Sequence, residues 1–165
     1  MKINKIFPLL TLLMTLLLTT NLHAEQNCNG WYVYVFNKVI INNQTATLNV
    51  SGDNKNSSLG ATPLQFQFKG TGNVGANMIF QYTNNGTTVQ AANLVISGDP
   101  DKTYGCILSA EVMSVGTGYG ATVSATKGAA PAAGPACKAG ETYGSVTATN
   151  SGTNGGQYIV YTICN

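Results

Sequence analysis

The run Trp31–Ile41, WYVYVFNKVII, is apolar on both faces. Trp31, Val33 and Val35 alternate with Tyr32, Tyr34 and Phe36, and along an extended chain alternate side chains point to opposite sides. A strand of this kind needs cover on both faces; left bare, it is an aggregation segment. It therefore reads as a central strand, or as one whose second face needs a partner. A similar run, Gln157–Cys164 (QYIVYTIC), closes the chain, and a cysteine flanks each: Cys28 and Cys164. These two strands are the frame that the other segments fill.

Seven further segments carry strand signals: Ala46–Val50, Leu64–Lys69, Asn77–Thr83, Val89–Ser97, Tyr104–Ser114, Tyr119–Thr126 and Thr142–Thr149. The cleanest alternation sets Leu64, Phe66 and Phe68 inward and Gln65, Gln67 and Lys69 outward. Asn42-Asn43 makes a turn, which puts Ala46–Val50 in a hairpin with the first strand. Asn84-Asn85-Gly86 predicts a second hairpin, because Asn-Gly suits the positive φ angles of a type I′ turn. Gly98–Lys102 (GDPDK) reads as a break. Lys127–Ala136 (KGAAPAAGPA) is a low-complexity connector whose small residues and prolines favour neither ladder nor core. No stretch has helical amphipathic spacing. The expected fold is all-β: a single-domain antiparallel β-sandwich of about nine strands, with a β-barrel as the alternative.

Residues 1–24 read as a secretory signal peptide, leaving 25–165 as the domain. Lys2 and Lys5 supply the positive start, Leu9–Leu18 the apolar core, and Leu22-His23-Ala24 the small-residue cleavage site. The apolar core is shorter than the roughly 20 residues a spanning helix needs, so no membrane insertion is expected after cleavage. The leader has a bacterial look. The expected location is outside the cytoplasm: extracellular, at the cell surface or in the periplasm.

Four cysteines remain, Cys28, Cys106, Cys137 and Cys164, and an even count in an exported chain implies two disulfides. If the two frame strands are antiparallel neighbours, Cys28 and Cys164 fall at the same end. The favoured pairing is then Cys28–Cys164 with Cys106–Cys137. The rival set is Cys137–Cys164 with Cys28–Cys106.

Composition removes several chemistries. The only histidine, His23, leaves with the leader, so neither a Ser-His-Asp nor a Cys-His catalytic arrangement remains. There is no arginine, and without Lys2 and Lys5 six lysines face six acidic residues. A chain near neutrality offers no basic face to nucleic acid. No phosphate-binding loop and no cofactor motif is present. Paired carboxylates could still serve a small hydrolase, with Glu111, Glu141, Asp53, Asp99 and Asp101 as the candidates. Asp99-Pro100-Asp101 is also a weak Ca²⁺ candidate, although such turns usually satisfy a bend. Asn43, Asn49, Asn56 and Asn85 begin N-x-[ST] sequons, which matter only in a glycosylating host.

The distinctive feature is Tyr-Gly at three strand starts: Tyr104-Gly105, Tyr119-Gly120 and Tyr143-Gly144. Read structurally, each ring covers a glycine on a neighbouring strand. Read functionally, Tyr104, Tyr119 and Tyr143 form a rim platform that stacks on a sugar or peptide. The leading expectation is an exported non-enzymatic module for surface attachment, or a structural or binding component. The alternatives are a lectin-like carbohydrate-binding module using the Tyr-Gly sites and, behind it, the carboxylate hydrolase. The expected partners are carbohydrate, another surface protein, or copies of the chain itself through exposed strand edges.

Overall fold

The structure, a computed structural model, describes residues 28–53, 57–67, 74–151 and 156–165. The stretch read as a leader lies outside the described residues, as do Phe68 and Lys69. Thirteen strands are found among the described residues: β1 Trp31–Lys38, β2 Ile40–Ile41, β3 Gln44–Thr45, β4 Leu48–Gly52, β5 Ser57–Leu59, β6 Leu64–Gln67, β7 Val74–Asn84, β8 Thr87–Asp101, β9 Gly105–Val115, β10 Gly120–Lys127, β11 Thr142–Tyr143, β12 Ser145–Ser151 and β13 Gln157–Cys164. Nine of them have four residues or more, and these correspond one to one with the segments that carry strand signals. Among the described residues, no helix is long and apolar enough to cross a membrane.

The strands form two stacked sheets and a small ribbon. The first sheet runs β11-β10-β13-β1-β6, the second β12-β9-β8-β7-β4-β5, and the ribbon is β2-β3. The sheets pack face to face and do not close into a barrel. From β1, Trp31, Val33 and Val35 are fully buried between the sheets, and Ile159, Tyr161 and Ile163 of β13 lie beside them. The second sheet answers with Leu48, Met78, Phe80, Leu94, Ile96 and Leu108. Burial of each large apolar side chain contributes about 1.5–3 kcal/mol. Trp31 is thus a core residue.

Three turns show how local chemistry sets the path. Asn85 and Gly86 both have positive φ, as a type I′ turn requires, and they join β7 to β8. Asn42 and Asn43 do the same for the ribbon. That hairpin is short, however: β4 does not pair with β1 but crosses to the second sheet, between β5 and β7. Asn37 holds the crossing point. Its side-chain amide donates to the carbonyls of Ala46 (2.6 Å) and Leu59 (3.1 Å), and its Oδ1 accepts from the Val39 N–H (3.0 Å). The third turn falls later than the sequence suggests, because β8 continues through Pro100 to Asp101. Proline cannot donate to a ladder, and among the described residues β7 pairs only as far as Val74 opposite Gly98, so no described β7 residue faces Pro100.

The fold corrects the frame in one respect: β1 and β13 are neighbours, but parallel, with Trp31 opposite Gln157 and Lys38 opposite Cys164. Cys28 and Cys164 therefore sit at opposite ends of the pair, about 23 Å apart or more at roughly 3.3 Å per residue. A disulfide needs Cα atoms within about 7 Å. The expected Cys28–Cys164 and Cys106–Cys137 pairing is wrong, and the rival set forms: Cys28–Cys106 and Cys137–Cys164. The first bridge ties the start of β1 to β9, and so one sheet to the other.

Tyr161 adds a second tie between the sheets. Its hydroxyl donates to the Val95 carbonyl of β8 at 2.7 Å. Burial pushes this phenol well above its usual range; a backbone hydrogen bond from Glu111 works the other way, and the Glu111 charge adds to the rise. Above pH 10 the unfolded chain ionises this group while the folded chain does not. The stability it contributes is therefore full below about pH 10 and falls as pH rises, by about 1.4 kcal/mol per unit. Urea unfolding at pH 9 and pH 11 should show the decline, and Tyr161→Phe should flatten it by about that amount. An identical slope in the variant would assign the alkaline loss to other tyrosines.

Candidate functional site

The outward faces of β1 and β13 carry a cluster of aromatic rings. Tyr32, Tyr34 and Phe36 follow one another along β1, and Tyr158 of β13 stands opposite Tyr32. Ring centroids lie 5.8 Å apart for Tyr32–Tyr158, 5.5 Å for Tyr34–Tyr158 and 6.2 Å for Tyr34–Phe36. These spacings fall in the favourable range for aromatic pairs. Tyr158 is buried beneath its neighbours, whereas Tyr32, Tyr34 and Phe36 remain half-buried. On the far side, β6 places Gln67 opposite Tyr32 and Gln65 opposite Tyr34, so both amides share the face. Burial, with the neighbouring phenols Tyr158 and Tyr32, raises Tyr34 above its ordinary value.

The other side of this face is closed by the low-complexity connector. Residues 128–138 run alongside β13: Gly128 donates its N–H to the Gly156 carbonyl (2.6 Å) at one end, and Cys137 is bonded to Cys164 at the other. Between them Gly134 lies against Thr162 and Phe36, so closely that a Cβ there would collide with the Thr162 hydroxyl and approach the Phe36 ring to 3.0 Å. The strap adds cover on the outer side of β13 at Thr162 and Cys164, while the second sheet covers Ile159, Tyr161 and Ile163 on the inner side; every residue of β13 is buried. The sequence suggested that such a segment makes no core; it serves instead as the cover of the second face. A cleft of about 320 Å³ remains at its end, between Thr122, Val123 and Pro135–Lys138.

The three Tyr-Gly tyrosines do not make one rim. Tyr104 is at the β8–β9 turn and 47% exposed, while Tyr119 follows β9 and is only 8% exposed. The 11 residues of β9 separate them, a span of roughly 36 Å. Tyr119 belongs to the core, and its ring lies near Gly116 of its own turn rather than over a glycine of a neighbouring strand. Tyr143 is placed on β11, at the end of the first sheet near Tyr119; its side chain lies outside the described residues.

The carboxylates are dispersed over turns and faces. Asp101 accepts from the N–H groups of Thr103 (2.8 Å) and Tyr104 (2.9 Å), shaping the β8–β9 turn, while Asp99 is exposed on β8. Asp53 accepts from the Asn77 N–H at 2.6 Å. No group of three or more potential metal ligands occurs among the described residues. Glu111 is the one carboxylate lining a cleft of about 380 Å³ on the outer face of the second sheet, otherwise walled by Ser97, Ser109, Ser145 and Thr147 among others. Glu141 sits in the loop before β11, where its backbone accepts from the Ala121 N–H.

The sequence signal for the aromatic face was the alternation in Trp31–Phe36 itself. Three outward aromatics on one strand, with a fourth on its partner, outweigh three dispersed Tyr-Gly pairs. Fold and site define a disulfide-stapled β-sandwich with one half-covered aromatic face. No family model, curated protein or solved structure matches the chain.

Proposed function

We propose that the protein is an exported, non-enzymatic binding module for surface attachment, and that the outer face of the first sheet is its contact surface. One observation carries this reading: Tyr32 and Tyr34 stay only half-buried on the central strand β1, while the strap meets the same face further along, at Phe36 and Thr162. Aromatic side chains of this kind supply large contact area with little rotamer entropy to lose. The leader-like start and the two disulfides fit an oxidising compartment. Among the described residues, Asp53 and Asp101 are taken up by backbone N–H groups at turns, which favours binding over hydrolysis.

The test uses the oxidised chain from residue 25 on two solid probes: a glycan array and an immobilised copy of the same protein. A signal on at least one is expected. Tyr32→Ala/Tyr34→Ala should reduce it ten-fold or more while circular dichroism stays unchanged, and no shortened glycan should be released. An undiminished signal would move the contact surface elsewhere. Silence on both probes would end the reading as an attachment module.

A further inference from the structure

We infer that the aromatic face takes a neutral oligosaccharide, laid along β1 between the strap and β6; this rests on that face being the contact surface. The shape of the face is the first argument. The strap stands over β13, pressed against Phe36 by Gly134, so the open track is only about one to two strand spacings wide, or 5–10 Å. The ridge hinders a flat protein surface from seating there, while a single extended chain can lie against it. From Tyr32 to Phe36, where the strap closes it, the track spans at most about 13 Å, which suits a few sugar units.

Charge is the second argument. Among the described residues, the outward positions at this level are Tyr32, Tyr34, Phe36, Tyr158, Gln65 and Gln67, all uncharged. The nearest described charge on the face is Lys38, at the far end of β1. Between Tyr32 and Phe36 the described residues of this face give an acidic polymer or a charged peptide nothing to pair with. What it offers is ring surface, phenol hydroxyls and two side-chain amides. A neutral sugar presents the matching set: C–H surface for the rings, and hydroxyls that both donate to and accept from amides and phenols.

Calorimetry on the oxidised protein tests this with maltohexaose, cellohexaose and chitohexaose as neutral probes and an alginate hexamer as the acidic one. At least one neutral probe should bind, with affinity changing less than about two-fold between 50 mM and 500 mM salt, because no charge pair is screened. Tyr34→Ala should weaken it ten-fold or more, Tyr34→Phe should recover part of that loss, and Tyr104→Ala should leave it unchanged. Three results overturn the inference. If only alginate binds, the ligand class is wrong. If no hexamer binds but Tyr32→Ala/Tyr34→Ala abolishes self-capture, the contact surface stands and the sugar does not. If neutral binding survives the double variant, both this inference and the contact surface fall.

Discussion

Replacing Cys28 and Cys106 together by alanine should lower stability by about 4.5 kcal/mol, the chain-entropy value for a bridge closing 78 residues. That is a large share of the 5–15 kcal/mol by which domains are ordinarily stable. The expectation has a structural basis beyond loop length. Both sulfurs are fully buried, and the bridge joins the segment leading into β1 to β9 of the opposite sheet. Trp31, the largest core residue, begins β1 three positions later. Loss of the bridge frees the entry to the frame strand and leaves its docking to packing alone. Urea unfolding of the double variant, beside the oxidised parent, measures the difference. A loss under about 1 kcal/mol would mean that the unbridged chain keeps residual order at this end. Non-reducing digestion should recover a peptide joining residue 28 to residue 106 and another joining 137 to 164; a peptide joining 28 to 164 would overturn the parallel register of β1 and β13.

That register marks the limit of what was legible in the residues. Strand positions were readable because alternation and turn chemistry are local: Leu64 and Phe66 pack on the core while Gln65 stays exposed, and Asn85-Gly86 turns where it should. Inward Trp31, Val33 and Val35 were readable for the same reason. Pairing direction is not local. The alternation of β13 is the same whether it runs with β1 or against it, so the disulfide partners, which depend on direction, could not follow. Pro100 misled in a related way, since its place in β8 depends on how far the ladder with β7 extends; the described pairs run to Gly98. The aromatic face was written in the outward positions of β1, but its openness depends on how far the strap reaches. The composition of residues 128–138 does not reveal that they lie over β13.

Releasing the strap should have the next largest effect. Cys137→Ala/Cys164→Ala removes a bridge closing 27 residues, worth about 3.5 kcal/mol in the same treatment. The consequence should differ in kind from loss of the first bridge. Alanine, glycine and proline bury little apolar area, and the hydroxyls of Thr122 and Thr162 are buried without a hydrogen-bond partner. Non-covalent attachment of the strap is therefore weak, and the tether supplies much of what holds it down. Without it, Val160 and its outward neighbours on β13 become open, and YIVYTI is a β-prone, uncharged segment of the kind that aggregates. The variant should bind a hydrophobic dye and associate at concentrations where the Cys28/Cys106 variant, examined below its unfolding midpoint, stays dispersed. Gly134→Val provides a check that leaves both bridges intact. Its side chain cannot share space with Thr162 and Phe36, so the middle of the strap must lift, at about 1–3 kcal/mol, and dye binding should rise without any change in the disulfides. If dye binding rises in neither variant, the second face of β13 is held closed by more than the strap. If it rises in both while ligand capture on Tyr32 and Tyr34 persists, the strap is a cover for the frame strand and not a wall of the ligand track.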